Sequence, residues 1–498
     1  MKRKKELIVV LTSLLVIVLS VSVAYFTTKI LGSGKDVSVT SADLKVIFTS
    51  GSGTINGSNI EPGWTSGENT FTVKNESNGT YKYNIIIKDL VNTFVTTGFL
   101  QYKITSTDGG YNMTDFVDVP KSSTATDTIL AENISIEKGA THTYKIIINY
   151  NNSDDVDQSA DMGKLLSGKI FITKGIERPS LASKLLEDNP TIGTRNNFST
   201  PFTTNTANTL YKATENSTDV YYFAGVDSAD VPINNWVKFA NYYWRIIRTN
   251  ADGSIRLLYS GTSPDTTEGY IGTSAFNTTS NSPKYVGYMY GDSDTTLEEA
   301  RTNTNDSTIK TYIDNWYENN LRTYTNYLSN DAIYCNDREL ASGSTYTTSS
   351  STFQFNSYER LGSNKTPTYD CTNNEDAFSV NNSEAKLNYP ITLMIADEIA
   401  YAGGVNGRAA AMWYYTNSDY NSITDSNDWW LLSSYGWIKS NAAVCVVFGS
   451  VNPGFFDGDL VSSSVAVRPV TSLKSCVQWK SGDGSFSNPY EIIENGGC

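Results

Sequence analysis

Of 498 residues, one is a histidine, His142. That scarcity removes whole classes of chemistry, because a Ser–His–Asp triad, a multi-histidine zinc site and a two-histidine iron site would each lack parts. His142 lies in Thr-His-Thr-Tyr, at the head of an alternating run, and is expected to face solvent from a strand. The five cysteines, Cys335, Cys371, Cys445, Cys476 and Cys498, contain no C-x-x-C pair, which disfavours zinc. Asp154, Asp155, Asp157 and Asp161 are oxygen ligands of the calcium type. Their spacing lacks the glycine and the twelfth-position glutamate of an EF-hand, so a solvated loop is expected. No cofactor is expected. The chemistry left is that of contact, since the chain carries 32 tyrosines amid abundant Ser, Thr and Asn. Such a composition suits a β-rich surface, and it is also the composition of binding paratopes.

The densest group of contact-capable side chains lies in Trp429–Val470, WWLLSSYGWIKSNAAVCVVFGSVNPGFFDGDLVSSSVAVRPV. Ala442–Phe448 is short, apolar and valine-rich, and reads as a largely buried strand. A loop is expected from Gly449 to Asp459, with Asn452-Pro453-Gly454 and Asp457-Gly458 as turn signals. Val465-Ala466-Val467 would be a partner strand. Candidate ligand contacts are Tyr435, Trp437, Asn441, Asn452, Phe455, Phe456, Asp457 and Asp459. Phe455-Phe456, set between Gly454 and Gly458, is the candidate hot spot. The alternative left open is that one phenylalanine is buried and the other packs on the loop. Arg468, flanked by Pro469 and valines, is expected to be a structural hydrogen-bond donor.

The positioning elements follow. Trp236–Phe239 and Tyr242–Arg248 lead into Asn250-Ala251-Asp252-Gly253 and a return at Ser254–Tyr259, a strong hairpin signal. Its aromatics Trp236, Tyr243 and Trp244 are read as core. Apolar positions Ile309, Tyr312, Ile313, Trp316, Tyr317 and Leu321 share a helical face, capped by Ser307 or Asp306. Tyr389–Gly404 reads as a strand and then a glycine-closed helix. Gly175–Asp188 is a linker with a short helix, and 189–209 looks irregular. Nearer the N-terminus, short alternating strands at Asp43–Phe48, Asn69–Lys74, Tyr81–Lys88, Leu100–Thr105, Tyr144–Tyr150 and Lys169–Thr173 suggest a β-sandwich.

The chain opens with Lys2-Arg3-Lys4-Lys5 and an apolar run, Leu7–Phe26, long enough to span a bilayer. The charge bias puts the remainder outside the cytoplasm. Ser22-Val23-Ala24 is a cleavage pattern, so both an anchored and a released form, cut at Ala24, are expected possibilities. A net charge of −14 argues against nucleic acid as a partner. On an exported chain the expected disulfides are Cys335–Cys371 and Cys476–Cys498, with Cys445 buried and free. Each would stabilise by about 3–4 kcal/mol in the chain-entropy model. Five reduced thiols are the alternative.

Two resemblances add to this reading. Ser-Val-Ala-Tyr-Phe-Thr, Glu61-Pro62-Gly63-Trp64, Asn75-Glu76-Ser77 and the strand order after them resemble camelysin/TasA-like matrix proteins. The likeness implies a β-sandwich with self-association; protease activity is rejected, because no H-E-x-x-H occurs. W-x-x-S, A-x-x-V-x-F-x-S, V-R-P-V and the Thr392, Glu398, Tyr401-Ala402, Gly403-Gly404 run resemble C-type-lectin-like folds of the formylglycine-generating group and retroelement-diversified variable proteins. That oxidase chemistry needs two copper-binding cysteines, and only Cys445 stands in the matched stretch, so no enzyme is expected. The expected organisation is mainly β with α+β: 1–32 signal or transmembrane segment, 34–174 sandwich, 175–209 linker, 210–475 C-type-lectin-like domain and 476–498 tail. The expected role is that of an exported, adhesin-like surface protein recognising an extracellular protein or glycan. A structural matrix component is the alternative.

Overall fold

A computed structural model describes residues 36–41, 44–50, 55–56, 60–175, 178–449 and 452–494, with the backbone path alone before residue 60. The apolar run at 7–26, the cleavage pattern at Ala24, and Cys498 lie outside the described residues. Among the described residues no helix is long and apolar enough to cross a membrane. Strand accounts for 37% and helix for 13%, so sheets position whatever the molecule presents. The chain divides into two compact units, meeting between Glu177 and Arg178.

In the first unit a seven-stranded and a four-stranded sheet share one core. The alternation read from the sequence is the cause. Leu100–Ser106 and Thr141–Tyr150 each bury every second residue, and their inward Tyr102, Ile104, Ile146 and Ile148 meet Ile85, Ile87 and Ile172 of the other sheet. The same period corrects the reading of His142. It shares a face with Tyr144 and Ile146, is only 5% exposed, and hydrogen-bonds through Nδ1 to the Tyr83 hydroxyl at 2.8 Å. Tyr83 in turn bonds to the Tyr144 hydroxyl. Asp154, Asp155 and Asp157 are exposed. Asp161 is buried and accepts from the Val95 amide (2.6 Å) and the Tyr150 hydroxyl (2.9 Å), so it closes a loop from within.

The second unit begins earlier and ends later than the sequence indicates. Leu181–Asp188 is a helix capped by Ser180 whose Leu181 and Leu185 enter the core, and Thr191–Gly193 pairs in parallel with Thr209–Glu215. These segments therefore belong to the unit instead of linking to it. The expected tail supplies two strands: Tyr490–Ile492 pairs with Trp236–Phe239, and Trp479–Ser481 pairs with it in turn. Their buried anchors, Val477, Tyr490 and Ile492, are too few to register as a period.

The frame is a ten-stranded sheet and a six-stranded sheet. The expected hairpin forms, Tyr242–Thr249 against Ile255–Tyr259, and Pro469–Leu473 lies between Ile255–Tyr259 and Ile391–Leu393. Thr308–Asn320 is helical with Ser307 as its cap. Ala396–Ala402 is a helix ended by Gly403 at φ 121°, a conformation that only glycine adopts without strain. In the second sheet Trp429–Ile438 pairs with Asn441–Val447, which pairs with Phe456–Leu460. Cys335 and Cys371 form the expected disulfide; Cys445 is free and buried. Cys476 is also disulfide-bonded, and the partner expected for it, Cys498, lies outside the described residues.

Burial holds the His142 pKa below the ordinary 6.5, against an opposing pull from Asp108. The native state thus refuses a proton that the unfolded chain accepts, so stability is lost as pH falls through the ordinary histidine range. The thermal midpoint of the first unit should fall as pH drops from about 7.5 to about 5, and His142→Gln should flatten that limb. An unchanged pH profile in the variant would refute the role of the buried imidazole.

Candidate functional site

The candidate face stands on a fully buried frame. Arg468 follows the short strand Val465–Ala466 and is completely shielded. Its Nε donates to the carbonyls of Tyr259 (3.2 Å) and Gly269 (3.1 Å), and Nη1 donates to that of Tyr414 (2.6 Å). The guanidinium lies 4.8 Å from the Trp429 ring centre. Burial, then the Arg245 charge, push its pKa down to about 9. Its acceptors are backbone carbonyls and the Ser260 hydroxyl, so Arg468 is a cross-tie, as its flanking residues suggest.

The eight residues singled out from the sequence fall into three places. The turn Asn452–Phe455 is closed by Phe455 donating to the Asn452 carbonyl and Phe448 donating to that of Phe455. Asn452 is exposed, and Phe455 packs edge-on against Phe448 with centroids 5.2 Å apart. Phe456 is 2% exposed and starts a strand, so the loop ends there and not at Asp459. The open alternative for this aromatic pair is the one realised. Asn441 lies at the opposite end of its strand, about 20 Å from that turn at the ordinary strand rise, and accepts from the Ser280 hydroxyl at 2.7 Å. Trp437 is 1% exposed, with its indole nitrogen donating to Ser349 at 2.6 Å; it is core and cannot be a contact.

The third place is a true rim. Cys445 pairs with Gly458 across the hairpin. A Cβ on Gly458 would come within 2.3 Å of the Tyr435 ring, so the bare backbone is what lets that ring lie flat across the strands. Tyr358 meets Tyr435 edge-on at 5.2 Å. Burial first, and then the Asp457 carboxylate, which accepts a hydrogen bond from the hydroxyl, raise the Tyr435 pKa. Tyr358, Tyr435, Asp457 and Asp459 all remain partly exposed. Beneath them the Cys445 thiol is held far from ionisation by burial and by Asp457, Asp397 and Asp337, which makes it inert.

Sequence reasoning missed Arg360 and its partners. Arg360 sits in a π-helical turn, Glu359–Asn364, a form often associated with functional sites. Its Nε donates to Asp397 at 2.9 Å, and Nη2 donates to Asp397 (2.7 Å) and Asp337 (2.6 Å). Asp337 adopts a left-handed φ of 54°. Burial, then the charges of Asp397 and Asp376, push its carboxyl up to about 6 against the pull of Arg360. No local pattern joins residues 337, 360 and 397; their partnership is tertiary.

Two outcomes follow. Arg468→Met leaves buried carbonyls without a donor and should cost about 3 kcal/mol, read as a lowered thermal midpoint. Asp337 ionises reluctantly in the native state, so its protonation stabilises fully below the unfolded value and this contribution is lost as pH rises through about 6. Asp337→Asn should therefore raise stability by about 1–2 kcal/mol near pH 8, with the gain vanishing by about pH 4. No family model matches the chain, and no curated protein matches it significantly.

Proposed function

We propose that the chain is an exported cell-surface recognition protein. In this reading a camelysin/TasA-like β-sandwich carries a C-type-lectin-like unit that presents the Tyr435 rim to an extracellular protein or glycan. The observation that carries the reading is Tyr435 itself, partly exposed, propped by Tyr358 and seated on Gly458 with Asp457 at its hydroxyl. The strand bearing it runs back to the wholly buried Trp429 and Trp430, so the rim is rigid before any ligand arrives. Tyrosine is among the residue types enriched in binding hot spots, and a rim held rigid beforehand loses little freedom on binding. Interaction is the role assigned to these residues; no catalytic residue is proposed.

A second reading, a structural matrix component, rests on one strand. Ser122–Ile136, 15 residues long, is an edge of its sheet and pairs with Tyr81–Asn92 alone among the described residues. Such an edge can take up a strand from another copy. Filaments of purified protein in electron micrographs would favour it.

The experiment is a glycan and protein array probed with the full chain, followed by titration of each hit. Tyr435→Ala should weaken binding by about tenfold or more with little change in thermal midpoint. Phe455→Ser should have a smaller effect, and Phe456→Ser is unsuitable because it strikes the core. Unchanged affinity in Tyr435→Ala would remove the rim as the ligand face.

A further inference from the structure

The described residues of the second unit bury the side chains of Arg195, Arg245, Arg248, Arg256, Arg338 and Arg468. All but the first are matched. Arg245, Arg248, Arg256 and Arg338 each reach a buried carboxylate, and Arg468 donates from Nε, Nη1 and Nη2 to neutral oxygens. Arg195 differs. It is 8% exposed, and its Nη1 donates to the carbonyls of Ala400 (3.1 Å) and Tyr401. Its Nε and Nη2 are buried and have no hydrogen-bond partner among the described residues. After burial, the groups that act on its charge are the tyrosines Tyr222, Tyr369 and Tyr211, not a carboxylate.

Nε and Nη2 share one edge of the guanidinium, the edge that holds an anion through two parallel N–H bonds. Phe198 and Phe202 cover the group, each ring centre 4.6 Å from its central carbon. Around them lies an aromatic cluster of Tyr211, Tyr222, Tyr369 and Tyr401. The hydroxyls of Tyr222 and Tyr369 are likewise buried without a partner among the described residues. Tyr222 stands close enough to the guanidinium to interact with it directly, yet outside hydrogen-bond geometry. A phenolic hydroxyl can donate as well as accept. A buried cation with a free edge, beside two hydroxyls free to donate, calls for negative charge. The free nitrogens and both hydroxyls are shielded from solvent. A carboxylate or phosphate would bring further oxygens needing donors of their own. A single-atom, monovalent anion needs the least room and the fewest donors.

We propose that Arg195, Tyr222 and Tyr369 bind a halide ion, chloride in ordinary media, through the Nε/Nη2 edge and the two hydroxyls. The ion ties the irregular segment 194–208 to the end of the helix Ala396–Ala402, where the Phe202 amide already donates to the Gly403 carbonyl at 3.0 Å. The site is independent of the Tyr435 rim and of the recognition role.

The test is the thermal midpoint of the full chain at a constant ionic strength of about 0.15 M, with gluconate replaced stepwise by chloride or bromide. The midpoint should rise saturably, by about 2 °C or more, in either halide. Tyr222→Phe and Tyr369→Phe remove only a hydroxyl, and each should at least halve that increment. Arg195→Gln should abolish it; if that variant does not fold, the tyrosine variants decide. Bromide diffused into crystals should give an anomalous peak beside Arg195. Equal midpoints in gluconate and in the halides would overturn the proposal and leave water as the partner of these groups. An increment undiminished in both tyrosine variants, or bromide bound only elsewhere, would overturn it as well.

Discussion

The second unit depends on one buried cation. Arg468 is wholly shielded and donates to carbonyls from Tyr259, Gly269 and Tyr414, which come from a strand and from two irregular segments. A lysine's compact ammonium lacks the planar fork that spans them. Its acceptors are neutral, so nothing offsets the burial and the nearby Arg245 charge that lower its pKa. Trp429 covers one side of the guanidinium. The Arg-Pro-Val end-piece thus ties irregular backbone to the ten-stranded sheet, while Trp429 belongs to the six-stranded sheet that carries the rim.

A second buried knot braces the same frame by a different means. Glu398 receives Arg256 at 2.7 Å and Arg248 at 3.1 Å, and Arg248 also reaches Glu215 at 2.8 Å. All four side chains are nearly inaccessible. Charges removed from water need partners of this quality, and losing any one would strand the others. Glu398 also accepts from the Ile395 amide at 3.1 Å, so the knot fixes the start of the helix Ala396–Ala402. That placement sets Asp397 toward Arg360 and so connects the frame to the π-helical turn Glu359–Asn364.

The first unit follows a simpler rule. Its sheets close through alternating aliphatic faces, and two of the polar groups inside are satisfied locally. His142 belongs with Tyr83 and Tyr144, and Asp161 with the Val95 amide and Tyr150. These groups hold loops and strand ends in place, and among the described residues Ser122–Ile136 forms an edge of its sheet.

Periodicity alone determined much of this protein. The alternation of the first unit, the Asp252-Gly253 hairpin, the helix capped by Ser307 and the glycine-closed helix before Gly404 all form where local pattern predicts, because each is a property of neighbouring residues. A single histidine rules out several chemistries by number alone, and Arg468 is legible as a donor from its apolar flanks. Tertiary structure decided what sequence distance conceals. Whether Trp437 and Phe456 face in or out depends on strand register, since a one-residue shift exchanges the two faces of a strand. Asn441, Tyr435 and Phe455 belong to one stretch of chain yet to three separate places, because a strand carries its ends apart. Asp337, Arg360 and Asp397 meet because two sheets and a disulfide bring distant segments together, and no spacing along the chain encodes a contact of that kind.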